Sequence, residues 1–367
     1  MNQKILISST SETIQIAIIE NKLLTEIIAE KRESLLGNIY KGRVTRVLPG
    51  MKAAFVDIGL KQSAFLPADC NVYQGQTLLT QVTKEPIKNK QARLTSKISI
   101  PSHYFVLLPY SPNLFKISNR IKSVTECQRL KNIFLSSSSK YGLIIRTAAE
   151  GVQDKLLISD LESLYNLWQN IQDTRINSLI YKELPVYLRL FRDSVWSSNS
   201  KIKVDSHEIF TEISLFAKQF VSKLDMEYYS ESRPLFDLYH ININKLLEPK
   251  VKLNSGGYII IESTEAMTVI DVNTGSYIGK NNWSETILKT NSEAATTIAN
   301  QLQLRNISGI IVIDFIDMKN YKHKQQIVAL LRQSLNNDQV KISDISELGL
   351  VEMTRKYTRA CLEQVLG

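Results

Sequence analysis

Two short apolar runs in the last third of the chain end in acids: Val269-Ile270-Asp271-Val272-Asn273, and Ile311-Val312-Ile313-Asp314-Phe315-Ile316-Asp317. An acid inside an apolar strand is costly as an unpaired buried ion, so such residues are paired, hydrogen-bonded or bound to metal. The fold has to supply partners to both. A divalent cation satisfies both acids at once: Mg²⁺ takes hard oxygen ligands, keeps several waters and needs only one or two carboxylates from the protein. Asn273 lies two residues after Asp271, on the same strand face, and its amide could hold a phosphate or a metal-bound water. Helix capping or turn formation is the competing reading of each acid taken alone, and Asp317, just before a helix, fits capping best.

The surroundings of these runs are regular. Tyr258–Glu262 and Met267–Val272 read as a strand pair, about 285–302 as a helix, Ile310–Ile313 as a strand and about 321–335 as a second helix, an alternation that points to an α/β layer. Upstream, Gly37 to about Ser96 holds five closely spaced strand-like runs punctuated by Pro49-Gly50, Gly59 and Gly75, which suits a small barrel of the OB type. Runs at 4–8, 13–19 and 22–28 form a meander. Tyr104–Leu108 and Gly142–Ile145 read as strands, with the polar tract 136–140 between them. Leu157, Leu161, Leu164, Tyr165, Trp168 and Ile171 share one helical face. Leu184–Leu190 reads as a strand, and Ile209, Phe210, Ile213, Phe216, Ala217 and Phe220 mark another amphipathic helix.

Composition narrows the function. A chain of 367 residues with 43% apolar and 22% charged residues excludes disordered, collagen-like and coiled-coil classes. The balance of 45 Lys+Arg against 36 Asp+Glu, a net +9, suits a polyanionic partner. Cys70, Cys127 and Cys361 are scattered and odd in number, so neither a disulfide framework nor a local zinc knuckle is expected. No apolar run reaches the ~18–20 residues of a membrane span, and the first 25 residues lack a signal-peptide core. Abundant Ile, Asn and Lys with only 14 Gly indicate an AT-rich genome. The N-terminal residues do not read as an Arg/Ser-rich, acid-poor leader, so a protein of this kind working in an organelle is expected to be made there.

Three side-chain groups remain. Phe55 and Phe65 occur among Lys41, Arg43, Arg46, Lys61, Lys90 and Arg93. Exposed aromatics on such a barrel stack unpaired bases while the cations hold phosphates, but either ring could equally fill the barrel core. Arg146 and Thr147 follow a strand directly, and a guanidinium beside a hydroxyl and turn amides makes a compact terminal-phosphate site, although an exposed, solvated arginine explains the pair as well. His103, His207, His240 and His323 are scattered and read as surface or core residues.

The stretch Thr264–Asn273, then Asn291-Ser292-Glu293-Ala294-Ala295, then Gly309–Met318 resembles the catalytic core of the ribonuclease E/G family. Ile39–Val44, Ala54–Gly59 and Ala64–Pro67 resemble that family's S1 RNA-binding domain, and the likeness runs over essentially the whole chain. It implies an α/β composite: an RNase H-like domain (1–34 and 185–246), an inserted S1 barrel (35–97), a 5′-sensor domain (98–184) and a DNase I-like catalytic domain (247–367). It further implies Asp271 and Asp314 as Mg²⁺ ligands, Asn273 as the catalytic-site amide, and Phe55, Phe65 and Lys90 as RNA-binding residues. Arg146 and Thr147 would grip a 5′-monophosphate, with Val106 supporting the terminal nucleotide. The implied activity is Mg²⁺-dependent endonucleolytic cleavage of single-stranded A/U-rich RNA in processing and decay, leaving 5′-monophosphate and 3′-hydroxyl ends. The alternative is a non-catalytic RNA-binding protein that uses the barrel alone. Two departures stand out: Ser102 where relatives usually have Gly, and no Cys-Pro-x-Cys, so any homo-oligomer is expected to lack the family's zinc-link. The chloroplast stroma of a plastid-encoded protein is the expected location, and a bacterial cytoplasm the alternative.

Overall fold

The computed structural model describes residues 3–67, 72–86, 90–136, 140–174, 179–194, 200–219, 224–275, 283–335 and 339–367. Cys70 and Phe220, and most of the polar tract at 136–140, lie outside them. The chain opens with β1 (Gln3–Ser9), β2 (Thr13–Glu20) and β3 (Leu23–Lys31). There follow β4 (Ile39–Leu48), β5 (Ala53–Asp57), β6 (Ala64–Pro67), β7 (Thr77–Lys84) and β8 (Arg93–Thr95). These five pair in the order β4-β5-β6-β8-β7, and a β4–β7 pairing closes them into a barrel, as an S1-like OB fold requires. Period-two alternation makes this possible: Val44, Ala54, Val56, Ala64, Leu66, Val82 and Leu94 point inward and fill the barrel core.

Next come β9 (Ile100–Pro101), β10 (Phe105–Leu108), β11 (Phe115–Ile117), α1 (Val124–Ser136), β12 (Gly142–Ile145) and α2 (Asp154–Asp173). They form a small sheet in the order β11-β12-β10-β9. Phe105, Leu107, Leu143 and Ile145 on that sheet share a core with Leu130, Leu157, Leu161 and Trp168 on the helices. β13 (Leu179–Tyr181) then adds to the barrel beside β4.

Leu184–Leu190 is not a strand. Val186–Asp193 forms α3, whose buried residues Val186, Tyr187, Phe191 and Arg192 recur at helical spacing behind an N-cap at Pro185. In so short an apolar run the strand and helix periods cannot be separated by pattern alone.

Beyond it lie β14 (Ser200–Val204), α4 (His207–Ala217), β15 (Asp225–Tyr228), α5 (Leu235–Leu238), α6 (Ile243–Leu247) and β16 (Lys250–Lys252). β14 and β15 complete a five-stranded sheet, β15-β14-β1-β2-β3. The last segment contains β17 (Tyr258–Ser263), β18 (Met267–Asn273), α7 (Trp283–Leu304), β19 (Gly309–Asp314), α8 (Tyr321–Ser334), β20 (Val340–Ile345), β21 (Leu350–Arg355) and α9 (Leu362–Leu366). Its sheet runs β16-β17-β18-β19-β21-β20. The strands β20 and β21 are additions that the sequence reading lacks.

These elements form two compact units. One contains Met1–Glu30, Lys201–Asp205 and Met226–Gly367, and the other Lys31–Ser200 and Ser206–Asp225. Among the described residues no helix is long and apolar enough to cross a membrane.

Candidate active site and flanking surfaces

The register of the last sheet brings the two acids together. β18 and β19 run parallel with Asp271 directly opposite Asp314. On β18, Thr268, Ile270 and Val272 are buried, while Met267, Val269, Asp271 and Asn273 alternate onto the other face. On β19, Ile311 and Ile313 are buried and Asp314 is exposed. The inward residues pack on Ala294, Ala295 and Ile298 of α7 and on Ile327 and Leu331 of α8. Burying one face of each strand thus places both carboxylates on the opposite, open face.

The Asn273 amide joins them by donating from Nδ2 to Asp271 Oδ2 at 2.6 Å. Partial desolvation, then the charges of Asp271 and Asp317, push the Asp314 carboxyl above the usual aspartate value. Among the described residues no cationic side chain forms an ion pair with Asp271 or Asp314. No group of three or more His, Cys, Asp or Glu gathers there or elsewhere in those residues.

One detail differs from the sequence reading and one is added to it. Asp317 does not cap α8: that role belongs to Asn320, whose side chain accepts from the Lys322 N–H. Asn291, fully buried on α7, holds the segment after Asp314 by donating to the Ile316 carbonyl at 2.8 Å and accepting from the Ile316 N–H at 3.1 Å. Helical periodicity marks Asn291 only as a polar residue on an apolar face, so its partner had to come from the fold.

On the barrel, Phe55 and Phe65 face each other across β5 and β6, with ring centroids 6.1 Å apart in an edge-to-face arrangement. Both alternate with the inward residues and are half-buried on the barrel's outside, so neither ring fills the core. The pairing continues sideways: Arg46 opposite Phe55, Arg93 opposite Phe65 and Lys84 opposite Arg93. A cation–aromatic–aromatic–cation–cation row crosses five strands. Burial, then the charges of Arg93 and of Lys90, lowers the Lys84 pKa, which puts the exposed Lys90 in the same positive field. Lys84 was missed by the sequence reading, since its place in the row depends on pairing with β8.

In the small sheet, Val106 pairs with Ile144, two residues before Arg146, while its neighbours Phe105 and Leu107 turn into the core. The Thr147 hydroxyl shares a 2.8 Å hydrogen bond with the Ser118 hydroxyl. Arg146 Nη1 donates to the Ser102 carbonyl and to Asp193 Oδ1, both at 2.7 Å. The Ser102 hydroxyl is directed to Asp160 on α2 and accepts from the Phe105 N–H.

Residues 99–358 match the model of the ribonuclease E/G family. Ribonuclease G of Salmonella typhimurium is 42% identical over an alignment covering 100% of this chain and 82% of that protein. Ribonuclease G of Escherichia coli K12 is 41% identical with the same coverage. Ribonuclease E of Nostoc sp. is 37% identical over 96% of this chain and 55% of its own length.

Proposed function

Because the chain belongs to the ribonuclease E/G family and is an endoribonuclease of RNA processing, we propose that Asp271, Asn273 and Asp314 form its active site and that its cleavage depends on Mg²⁺. The observation that carries this reading is the direct register of Asp271 with Asp314, two acids sharing an open sheet face and, among the described residues, paired with no cationic side chain. Such a donor set fits a hard, partly hydrated ion. Asp271 and Asp314 would hold it, and when bound it supplies Lewis acidity to water and to the phosphoryl oxygens. Asn273, hydrogen-bonded to Asp271, fixes the orientation of that carboxylate. In the hydrolysis a water oxygen bonds to phosphorus, the P–O3′ bond breaks and O3′ takes up a proton, giving the family's 5′-monophosphate and 3′-hydroxyl ends.

The substrate is single-stranded, A/U-rich RNA. Phe55 and Phe65 stack bases, and Lys90, with Arg46, Lys84 and Arg93 beside the rings, holds the backbone. Arg146 and Thr147 hold a 5′-monophosphate, with Val106 under the terminal nucleotide, so cleavage is sensitive to the 5′ end. The domains follow the family plan. The sheet β15-β14-β1-β2-β3 draws on both 1–34 and 185–246, which supports an RNase H-like domain there. The six-stranded sheet with α7 and α8 supports a DNase I-like domain at 247–367, leaving 35–97 as the S1 domain and 98–184 as the sensor. The AT-biased composition favours a plastid genome, with an AT-rich bacterium as the other source.

Cleavage of an unstructured A/U-rich RNA, with and without Mg²⁺ and with end mapping, tests this directly. Asp271→Asn and Asp314→Asn should lose cleavage by orders of magnitude while the circular-dichroism spectrum and RNA binding persist. Wild-type cleavage by either variant would remove the assignment, and binding without cleavage by the unaltered protein would leave only the barrel in use.

A further inference from the structure

The guanidinium of Arg146 is held mainly from outside its own strand. Its Nη1 spends both hydrogens, on the Ser102 carbonyl and on Asp193 Oδ1, and its Nη2 spends one on the Asp193 carbonyl at 3.1 Å. Among the described residues this leaves the Nε hydrogen and one Nη2 hydrogen, the parallel pair with which arginine engages phosphate in bidentate fashion. The side chain is 19% exposed, so it is not sealed from solvent.

Asp193, the last residue of α3, is itself fixed. Its Oδ1 accepts from Arg192 Nε at 2.9 Å and its Oδ2 from Arg192 Nη2 at 3.2 Å. Arg192 is buried and bonded through Nη1 to the buried Glu183 at 2.8 Å, and its carbonyl is 2.9 Å from His103 Nδ1. Charges therefore alternate along Glu183, Arg192, Asp193 and Arg146. Burial opposes ionisation of Asp193, but the hydrogen bonds and charges of Arg192 and then Arg146 outweigh it, so the carboxyl stays below its usual pKa.

We propose that Asp193 is a positioning residue of the 5′-phosphate site: anchored by Arg192, it clamps Arg146 so that the Nε–Nη2 edge faces the terminal phosphate of the RNA. The inference rests on the reading of Arg146 as the phosphate-holding residue. A free arginine would have to be immobilised each time RNA binds, whereas the clamped one is already ordered.

The test compares wild type, Arg146→Ala, Asp193→Ala and Asp193→Asn on one RNA carrying either a 5′-monophosphate or a 5′-hydroxyl. The readout is the ratio of kcat/KM for the two ends, with circular dichroism and melting as controls of folding. Arg146→Ala should bring the ratio to one. Asp193→Ala should lower it by about 3- to 10-fold, the factor for immobilising one long side chain on binding, through a higher KM for the monophosphorylated RNA. Asp193→Asn keeps Oδ1 and should lie between Ala and wild type, and it decides the matter if the Ala variant melts below the assay temperature. A wild-type or increased ratio in both Asp193 variants, with the ratio lost in Arg146→Ala, overturns the clamp and leaves the phosphate site standing. A ratio unchanged by Arg146→Ala removes the phosphate site itself, and the clamp with it.

Discussion

Replacing Asp271 by asparagine should stabilise the metal-free protein while abolishing its activity. The two acids sit directly opposite each other on neighbouring parallel strands, which lie ~4.8 Å apart, so their charges are separated by roughly 5 Å. Like charges at that distance repel by about 0.8 kcal/mol at the dielectric constant of water and about 3 kcal/mol at an effective value of ~20. Asp314 is exposed, which places the pair toward the aqueous limit, at about 1 kcal/mol before added salt screens it further. Asparagine keeps the size of the side chain and an oxygen to accept the Asn273 amide hydrogen, so the repulsion is removed and little else. In a unit of this size about 1 kcal/mol raises the melting midpoint by about 2–4 °C.

Calorimetry at low ionic strength in a chelator measures the shift. Added Mg²⁺ should then raise the midpoint of the wild type and leave the variant nearly unmoved, because a ligand stabilises only the state that binds it. A midpoint several degrees lower for Asp271→Asn in chelator would refute the reasoning, since it would make Asp271 a structural hydrogen-bonding residue whose charge the fold needs. An equal Mg²⁺ response in both proteins would refute it too.

The barrel predicts that Phe55→Ala or Phe65→Ala raises the Kd for single-stranded RNA by about 5- to 100-fold, the worth of one stacked base, with the melting midpoint little changed because both rings lie outside the core; fluorescence anisotropy with a labelled oligonucleotide reads this, and unchanged affinity with a lowered midpoint would return the ring to a structural role. Gly142→Ala should destabilise its unit by about 1–3 kcal/mol in urea unfolding, since the added Cβ would lie 2.1 Å from the Ser111 carbonyl oxygen and 3.0 Å from that of Leu114; a neutral effect would mean that this part of the sheet yields easily. Burial holds the His103 pKa below the ordinary histidine value, with its hydrogen bond to the Arg192 carbonyl opposing the shift. The folded state therefore binds fewer protons there than the unfolded chain, and stability should be full above about pH 7 and fall as pH drops through ~6.5 toward the lowered value. A His103→Gln protein should lose that part of the slope, and parallel urea midpoints for the two proteins between pH 7.5 and 5 would count against it.

Much of this protein was legible in its sequence because the relevant signals are local. Alternation along 39–48, 53–57 and 64–67 marks barrel strands whatever they pair with, and apolar runs ending in Asp271 and Asp314 mark strands whose acids need partners. The face Leu157, Leu161, Leu164, Trp168 and Ile171 specifies α2 from spacing alone. The failures have the same origin. Residues 184–190 are too few to separate the strand period from the helix period, and Asp317 and Asn320 are both plausible caps until the first turn of α8 has a direction.

What only the tertiary structure decided is which distant side chains meet. Asp271 and Asp314 are separated by a whole helix, and only the parallel register of β18 with β19 sets them opposite each other. Phe55, Phe65, Arg93 and Lys84 become a row because β8 pairs between β6 and β7. Arg146 acquires Asp193 from a helix more than forty residues away along the chain. Propensity and periodicity act over one or two turns of the backbone, so the sequence alone determines the elements and the chemistry each carries. Pairing register and packing are set by burying all the apolar faces together, and only that collective term decides which charges become neighbours.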